Sequence, residues 1–189
     1  MKKLLQNRSI SYAKMNSYKK ITLGAGCFWC VEAVYLRLKG VLSVKSGYSG
    51  GNTKNPSYRE VCGGMTGHAE VCEIEYDIKI VSLDEILEVF WLIHNPTTLN
   101  RQGYDIGTHY RSAIFYHDKE QKEIAEHSTK LADLSGRFKN RIVTEITQWK
   151  NFYPADDEHD KYYEKNKEKP YCKLVVLPKI IAFKNSRNY

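Results

Sequence analysis

Cys27 follows the turn Gly24-Ala25-Gly26 and stands where a helix starts. A free thiol with a pKa of about 8.5 is only a few per cent thiolate at neutral pH. Backbone N–H groups and the positive end of the dipole at a helix start favour the anion, which makes Cys27 the best nucleophile candidate. On position alone, a small buried hydrophobe accounts for the residue equally well. Phe28 and Trp29 come next. Two large aromatics at a helix start can wall a pocket for a methyl-thioether group, since sulfur and methyl groups pack well on rings, or they can simply pack. Cys30 completes a C-x-x-C motif, which suits a redox disulfide or half of a zinc site. Zinc needs a second set of ligands. Cys62 and Cys72 are separated by nine residues, and no second C-x-x-C or H-x-x-x-H is present, so the sequence predicts neither a metal nor a cofactor.

Glu70, in Gly67-His68-Ala69-Glu70, is the natural partner for such a thiol. If it points into an apolar site, desolvation keeps it protonated near neutral pH, ready to act as a general acid. His68 shares its strand parity, and a hydrogen-bonding and a structural role are both open to it. Tyr58, Asp105 and Tyr110 fall in loop or loop-to-strand positions. A tyrosine hydroxyl there can hydrogen-bond a polarised oxygen. One tyrosine among fourteen is a weak signal, however, and Asp105, between Gly103 and Gly107, can equally be a turn residue.

The elements that position these groups follow from periodicity. Residues 21–23 read as a short strand. A helix begins at Cys27, with Val31, Val34 and Leu38 at helical spacing and Gly40 as its stop. Residues 47–56 read as a Gly/Ser/Asn-rich loop. Residues 70–76 alternate, with Cys72, Ile74 and Tyr76 on the core face and Glu70 at its mouth. Ser82-Leu83-Asp84-Glu85 is a capping box opening a helix whose buried stripe is Ile86, Phe90 and Ile93. The polar connection 94–107 is of the kind that carries function. A strand at 111–116, a helix at 119–134 with Ile124, Leu131 and Leu134 inward, and a strand at 141–148 with Ile142, Thr144 and Ile146 on one face complete the pattern. The tail from 151 reads as irregular, with a short strand or extended arm at 174–177. Intermixed strands and helices predict an α+β fold, a mixed sheet with packed helices in a single domain.

Composition sets the outer bounds. The chain has 189 residues, 42% apolar, which suits one folded domain. No apolar run approaches the roughly 18 residues of a membrane span. Net charge is +7, but the basic residues are dispersed and 161–169 is mixed in sign, so a solvated surface accounts for the charge better than a nucleic-acid stripe. Five cysteines, an odd number, argue against a closed secreted disulfide framework, and reactive free thiols point to a reducing cytosol. Residues 1–18 read as a flexible N-terminal extension, and 19–189 as the catalytic domain.

Taken together, three segments are far more specific than any single residue. Gly26-Cys27-Phe28-Trp29, Gly67-His68-Ala69-Glu70-Val71 and the run from Arg101 to Ser112 occur in this order, with Asn95-Pro96-Thr97-Thr98-Leu99-Asn100 also fitting. The chain resembles the A family of peptide methionine sulfoxide reductases over about 21–149. The resemblance implies a ferredoxin-like core and reduction of the S epimer of methionine sulfoxide, free or in proteins. It gives Cys27 the role of nucleophile, Phe28 and Trp29 the methyl pocket, and Glu70 that of proton donor to the sulfoxide oxygen. Tyr58 and Tyr110 would bind that oxygen, and Asp105 would hold the site together. Tyr104 and His109 stand where the family more often has Asn and Gln, a change expected to tune the site.

The implied chemistry is thiolate attack on a protonated or hydrogen-bonded sulfoxide, leaving a sulfenic acid that a second thiol resolves. Cys172, in a tail that reads as mobile, is the preferred resolving residue, with Cys30 as the alternative. A dithiol donor such as thioredoxin would close the cycle, with no nucleic-acid or membrane partner and a monomeric chain. Two other readings compete. A thioredoxin-like oxidoreductase on Cys27 and Cys30 leaves Glu70 and the 105–110 segment unused, and a basic binding module explains only the charge.

Overall fold

The computed structural model describes residues 17–187. In chain order the elements are β1 (Tyr18–Ala25), α1 (Phe28–Tyr35), β2 (Val41–Ser49), α2 (Tyr58–Cys62), β3 (Ala69–Asp77), α3 (Leu83–Ile93), the hairpin strands β4 (Arg101–Gln102) and β5 (Asp105–Ile106), β6 (Ser112–Tyr116), α4 (Lys119–Leu134), β7 (Glu145–Gln148), β8 (Tyr153–Pro154), α5 (Tyr162–Lys165) and α6 (Leu177–Arg187). A 3-10 turn at Thr108–Tyr110 precedes β6, and a π-helical segment, Cys172–Val176, runs into α6. The main sheet has the order β7-β6-β1-β3-β2-β8. Its centre, β6-β1-β3-β2, is antiparallel throughout. With α1 between β1 and β2 and α3 between β3 and β6, this is the expected ferredoxin-like core. β7 adds in parallel beside β6, making the sheet mixed.

α1 packs against β2 and β3, and α3 packs against α4 and α6. The main core holds Ile21, Leu23, Val31, Ile74, Ile86 and Phe90 with at most 1% exposure. Each such side chain contributes roughly 1.5–3 kcal/mol of burial free energy, opposed by ordering entropy. β3 follows its predicted alternation, with Cys72, Ile74 and Tyr76 buried. Val71 faces a smaller cluster with Ala69, Ala113 and Phe115 on the other side of the sheet. The Ser82 capping box is formed: Ser82 Oγ accepts from the Glu85 N–H at 3.2 Å, and the Glu85 carboxylate accepts from the Ser82 N–H at 2.9 Å.

The structure corrects four expectations. The segment 47–56 is not all loop, because Gly47, Tyr48 and Ser49 end the sheet strand β2. A glycine is required at 47, where a Cβ would lie 2.5 Å from the Phe152 ring and the Tyr153 carbonyl as β8 passes. Leu131 and Leu134 of α4 are exposed, not inward. The two helices run side by side, with Trp91 Nε1 donating to Ser128 Oγ at 2.8 Å near the end of α3. Gln121, Ala125 and Ala132 are the residues α4 turns inward, and Leu131 and Leu134 lie off that face. The strand predicted at 141–148 is paired only over Glu145–Gln148, although Ile142 and Ile146 do pack on the core. The tail is largely irregular only to 171. Residues 174–177 are helical, with Cys172, Val176, Ile180 and Phe183 turned into the core. The expected extension, apart from Ser17 and Tyr18, lies outside the described residues, and Tyr18 already begins β1.

Candidate active site

β1 delivers Cys27. The strand ends at Ala25, Gly26 turns with φ +83°, and Cys27 becomes the N-cap of α1. Only glycine fits the turn: a Cβ there would be strained at that φ and would meet the Gln102 side chain at 2.7 Å. Cys27 is 6% exposed. Burial pushes its thiol well up, and its hydrogen bond to Cys30 acts in the same direction. The Cys30 thiol is lowered, first by accepting that hydrogen bond, with the Lys179 charge adding to it. The Tyr171 hydroxyl is also in hydrogen-bond contact with Cys27, opposing the effect of burial.

β3 delivers Glu70, only 1% exposed. Its Oε2 accepts from the Phe28 N–H at 3.1 Å, which ties the first turn of α1 to the strand. Burial raises its pKa to about 8, with the charges of Asp105 and Cys30 adding to the rise and the Phe28 N–H opposing it. The carboxyl is therefore largely protonated at neutral pH. Tyr58, at the start of α2, and Tyr110, closing the 3-10 turn, lie within electrostatic reach of Glu70 and of each other. Both phenols are raised far above their ordinary value, mainly by burial, so they remain O–H donors. The Tyr171 hydroxyl donates to Asp105 Oδ2 at 2.8 Å, joining the β4–β5 hairpin to the C-terminal segment.

Phe28 and Trp29 sit among other rings. Phe28 lies 5.9 Å from Tyr48 and 6.5 Å from Tyr58, centroid to centroid. Trp29 stacks on Tyr162 at 3.6 Å, takes Tyr171 edge-on at 5.7 Å, and donates from Nε1 to His159 Nδ1 at 3.1 Å. His159 also packs against Phe28 and Tyr58.

Six of the predicted residues thus converge: Cys27, Phe28, Glu70, Tyr58, Tyr110 and, through Tyr171, Asp105. Trp29 borders them under the tail. Cys30 is in contact with Cys27, whereas Cys172 is fully buried in helical structure and not in a mobile arm, although its thiol feels the charge of Cys30. His68 is structural: its ring accepts from the Gly51 N–H at 3.0 Å and hydrogen-bonds the Thr53 carbonyl at 2.7 Å, holding the loop after β2. Tyr104 is exposed at the hairpin tip, while His109 is buried against Tyr110. Sequence reasoning missed His159, Tyr162 and Tyr171, which come from a stretch without periodicity.

This geometry can be set beside known proteins. The family model described as peptide methionine sulfoxide reductase matches residues 19–189. The chain belongs to this family. The peptide methionine sulfoxide reductase MsrA of Saccharolobus solfataricus is 54% identical over 162 residues, 86% of this chain and 90% of that protein. Among solved structures, reduced Mxr1 from Saccharomyces cerevisiae superimposes with a TM-score of 0.76 at 37% identity, covering 82% of this chain and 90% of that one. Mxr1 in complex with Trx2 superimposes at 0.54 and 28% identity, covering 82% and 91%. Membership makes the chain an oxidoreductase, and the α+β fold is that of its reductase relatives. Among the described residues no helix is long and apolar enough to cross a membrane.

Proposed function

We propose that the chain reduces the S epimer of methionine sulfoxide, free or in proteins, with Cys27 as nucleophile. The observation that carries this reading is the Phe28 N–H held on Glu70 Oε2, which fixes a largely protonated carboxyl beside the buried thiol. The other carboxyl oxygen is left to present its proton to the sulfoxide oxygen, and the Tyr58 and Tyr110 hydroxyls hydrogen-bond that oxygen as charge grows on it. The substrate methyl group rests on Phe28 and Trp29. Cys27 Sγ attacks the sulfoxide sulfur as the S–O bond to the oxygen protonated by Glu70 breaks; the released hydroxyl then bonds to Sγ as methionine leaves, the thiol proton restores Glu70, and Cys27 is left as a sulfenic acid. Asp105 positions Tyr171, whose hydroxyl turns to the Cys27 sulfur when it ionises.

Cys30 then condenses with the sulfenic acid, releasing water and forming a disulfide. It stands three residues along the first turn of α1 in hydrogen-bond contact with Cys27, which supports it as first resolver over the initially preferred Cys172. Cys172, buried in the same core as Cys30 and within its electrostatic reach, takes the disulfide on by exchange. A thioredoxin-like dithiol returns the enzyme to its reduced state, a role supported by the solved pairing of Mxr1 with Trx2. Residues 19–189 act as the catalytic unit, as a monomer, and free thiols suit a reducing cytosol. No second reading is favoured, because a disulfide oxidoreductase leaves Glu70 without a task.

The test is methionine release from separated S and R epimers with dithiothreitol. Turnover of the S epimer alone, abolished in Cys27→Ser, is the expected result; turnover of neither epimer by folded wild type overturns the reading.

A further inference from the structure

Three residues from three elements meet beside the oxygen-binding pocket, and the chemistry above uses Glu70 but gives no task to the two that meet it. Cys62 ends α2, Glu70 lies in β3, and His109 sits in the 3-10 turn before Tyr110. One ligand atom from each, the Cys62 sulfur, a Glu70 oxygen and a His109 ring nitrogen, all lie within 4.8 Å of one another. His109 is only 5% exposed, and its Nδ1 is buried with no hydrogen-bond partner among the described residues. A ring nitrogen left unpaired in a protein interior costs free energy unless something occupies it. Burial also holds the His109 ring below its ordinary pKa, so it is a neutral imidazole with a lone pair to give.

We propose that these side chains form a zinc site that closes the catalytic pocket reversibly. Thiolate, imidazole and carboxylate are the donor types zinc selects, and three protein ligands leave a fourth position for water. Ligand atoms around tetrahedral zinc stand roughly 3.5 Å apart, given bond lengths of about 2.0–2.3 Å. The existing separations therefore need to close by about 1 Å. Cys62 can supply the part of that movement that involves its sulfur, since it is exposed at a helix end, where it accepts a hydrogen bond from the Tyr58 hydroxyl. On ligation the Cys62 thiol and the Glu70 carboxyl each give up their proton. Glu70 bound to the metal has no proton for a sulfoxide, and the ion stands where the substrate oxygen would lie. Free zinc, rising as thiol ligands elsewhere are oxidised, would thus hold the reductase back until the metal is cleared.

The binding step is independent of the roles assigned to Cys27 and Glu70 in catalysis, whereas the inhibition step rests on them. The test separates the two. Reduced full-length protein, kept under a phosphine reductant without oxygen, is titrated with cobalt(II) chloride and then with zinc chloride. The expected result is one cobalt per chain with a thiolate charge-transfer band that zinc abolishes. The band persists in a double Cys27→Ser, Cys30→Ser variant, disappears in Cys62→Ser, and needs at least about tenfold more metal in His109→Gln. A band lost in the Cys27→Ser, Cys30→Ser variant and kept in Cys62→Ser moves the metal to the C-x-x-C pair and overturns the proposal. So does the absence of any band in folded wild type. In the activity arm, zinc raises the apparent KM for S-epimer sulfoxide in wild type and does not in Cys62→Ser; equal inhibition of both overturns the competitive role while leaving the spectral result to stand by itself.

Discussion

At the scale of single residues, Glu70 sets the pH behaviour. Its carboxyl titrates near 8 because burial disfavours the charge. As a proton donor it is competent below that value, so kcat/KM falls as pH rises through about 8. Glu70→Gln keeps a group able to accept from the Phe28 N–H but has no acidic proton. The expected loss is roughly 10²–10⁴-fold in kcat, with the alkaline limb assigned to Glu70 gone, read from pH-rate profiles of the two proteins. Stability falls with rising pH as well, over the range between the unfolded and folded values. A carboxyl whose folded pKa lies above its unfolded value binds more protons folded than unfolded, so the wild type loses stability from pH 4.5 up to about 8. Glu70→Gln lacks that loss. Its thermal midpoint should exceed that of wild type at pH 9, by the equivalent of a few kcal/mol, with the advantage fading as pH falls towards 4.5. A midpoint difference independent of pH would place the Glu70 proton elsewhere.

At the scale of elements, the joint between β1 and α1 does the positioning. Gly26→Ala adds a Cβ that meets Gln102 at 2.7 Å while the residue is held at φ +83°. Gln102 anchors on Asn95, its amide donating to the Asn95 carbonyl at 3.1 Å, so it cannot swing away without loosening the 95–102 connection. The substitution should cost about 1–3 kcal/mol and lower kcat by an order of magnitude or more, because the strain is relieved by moving Cys27. Denaturant unfolding and steady-state kinetics check the two halves separately. Ser82→Ala, at the cap of α3 and far from the site, should cost about 1 kcal/mol and leave kcat untouched. The caps and the strand alternation were legible in the sequence because both are local rules: hydroxyl and carboxylate three residues apart, or apolar groups two apart. β2 was not, since its end carries Gly47 and two serines and is a strand only because β3 and β8 pair with it.

At the scale of the whole molecule, the five free cysteines occupy different environments. Cys62 is exposed, Cys27 almost covered, and Cys30, Cys72 and Cys172 buried. Brief alkylation of the reduced native enzyme should therefore modify Cys62 first and Cys27 next, with the other three reacting only as the fold opens. Peptide mass mapping over time gives the order; early modification of Cys172 would restore the mobile tail that the sequence suggested. The helical path of 172–187 also means that the proposed passage of a disulfide from Cys30 to Cys172 would take place within the core, and that exposing it to a dithiol donor would require the tail to lift from Trp29 and Asp105.

The sequence by itself singled out the groups to which the proposed chemistry is assigned. Cys27, Phe28, Trp29, Glu70, Tyr58, Asp105 and Tyr110 lie in short contiguous motifs, and the ferredoxin-like order followed from resemblance carried by those motifs. Their surroundings were decided only by the tertiary structure. Whether a thiol at a helix start is lowered or raised depends on how much protein covers it, and here burial raises it. Stacking of Tyr162 on Trp29, the reach of Tyr171 to Asp105 and the meeting of Cys62, Glu70 and His109 join residues far apart in the chain. Such contacts have no period and no local signature; they exist because the sheet and the returning tail bring separate segments to one place.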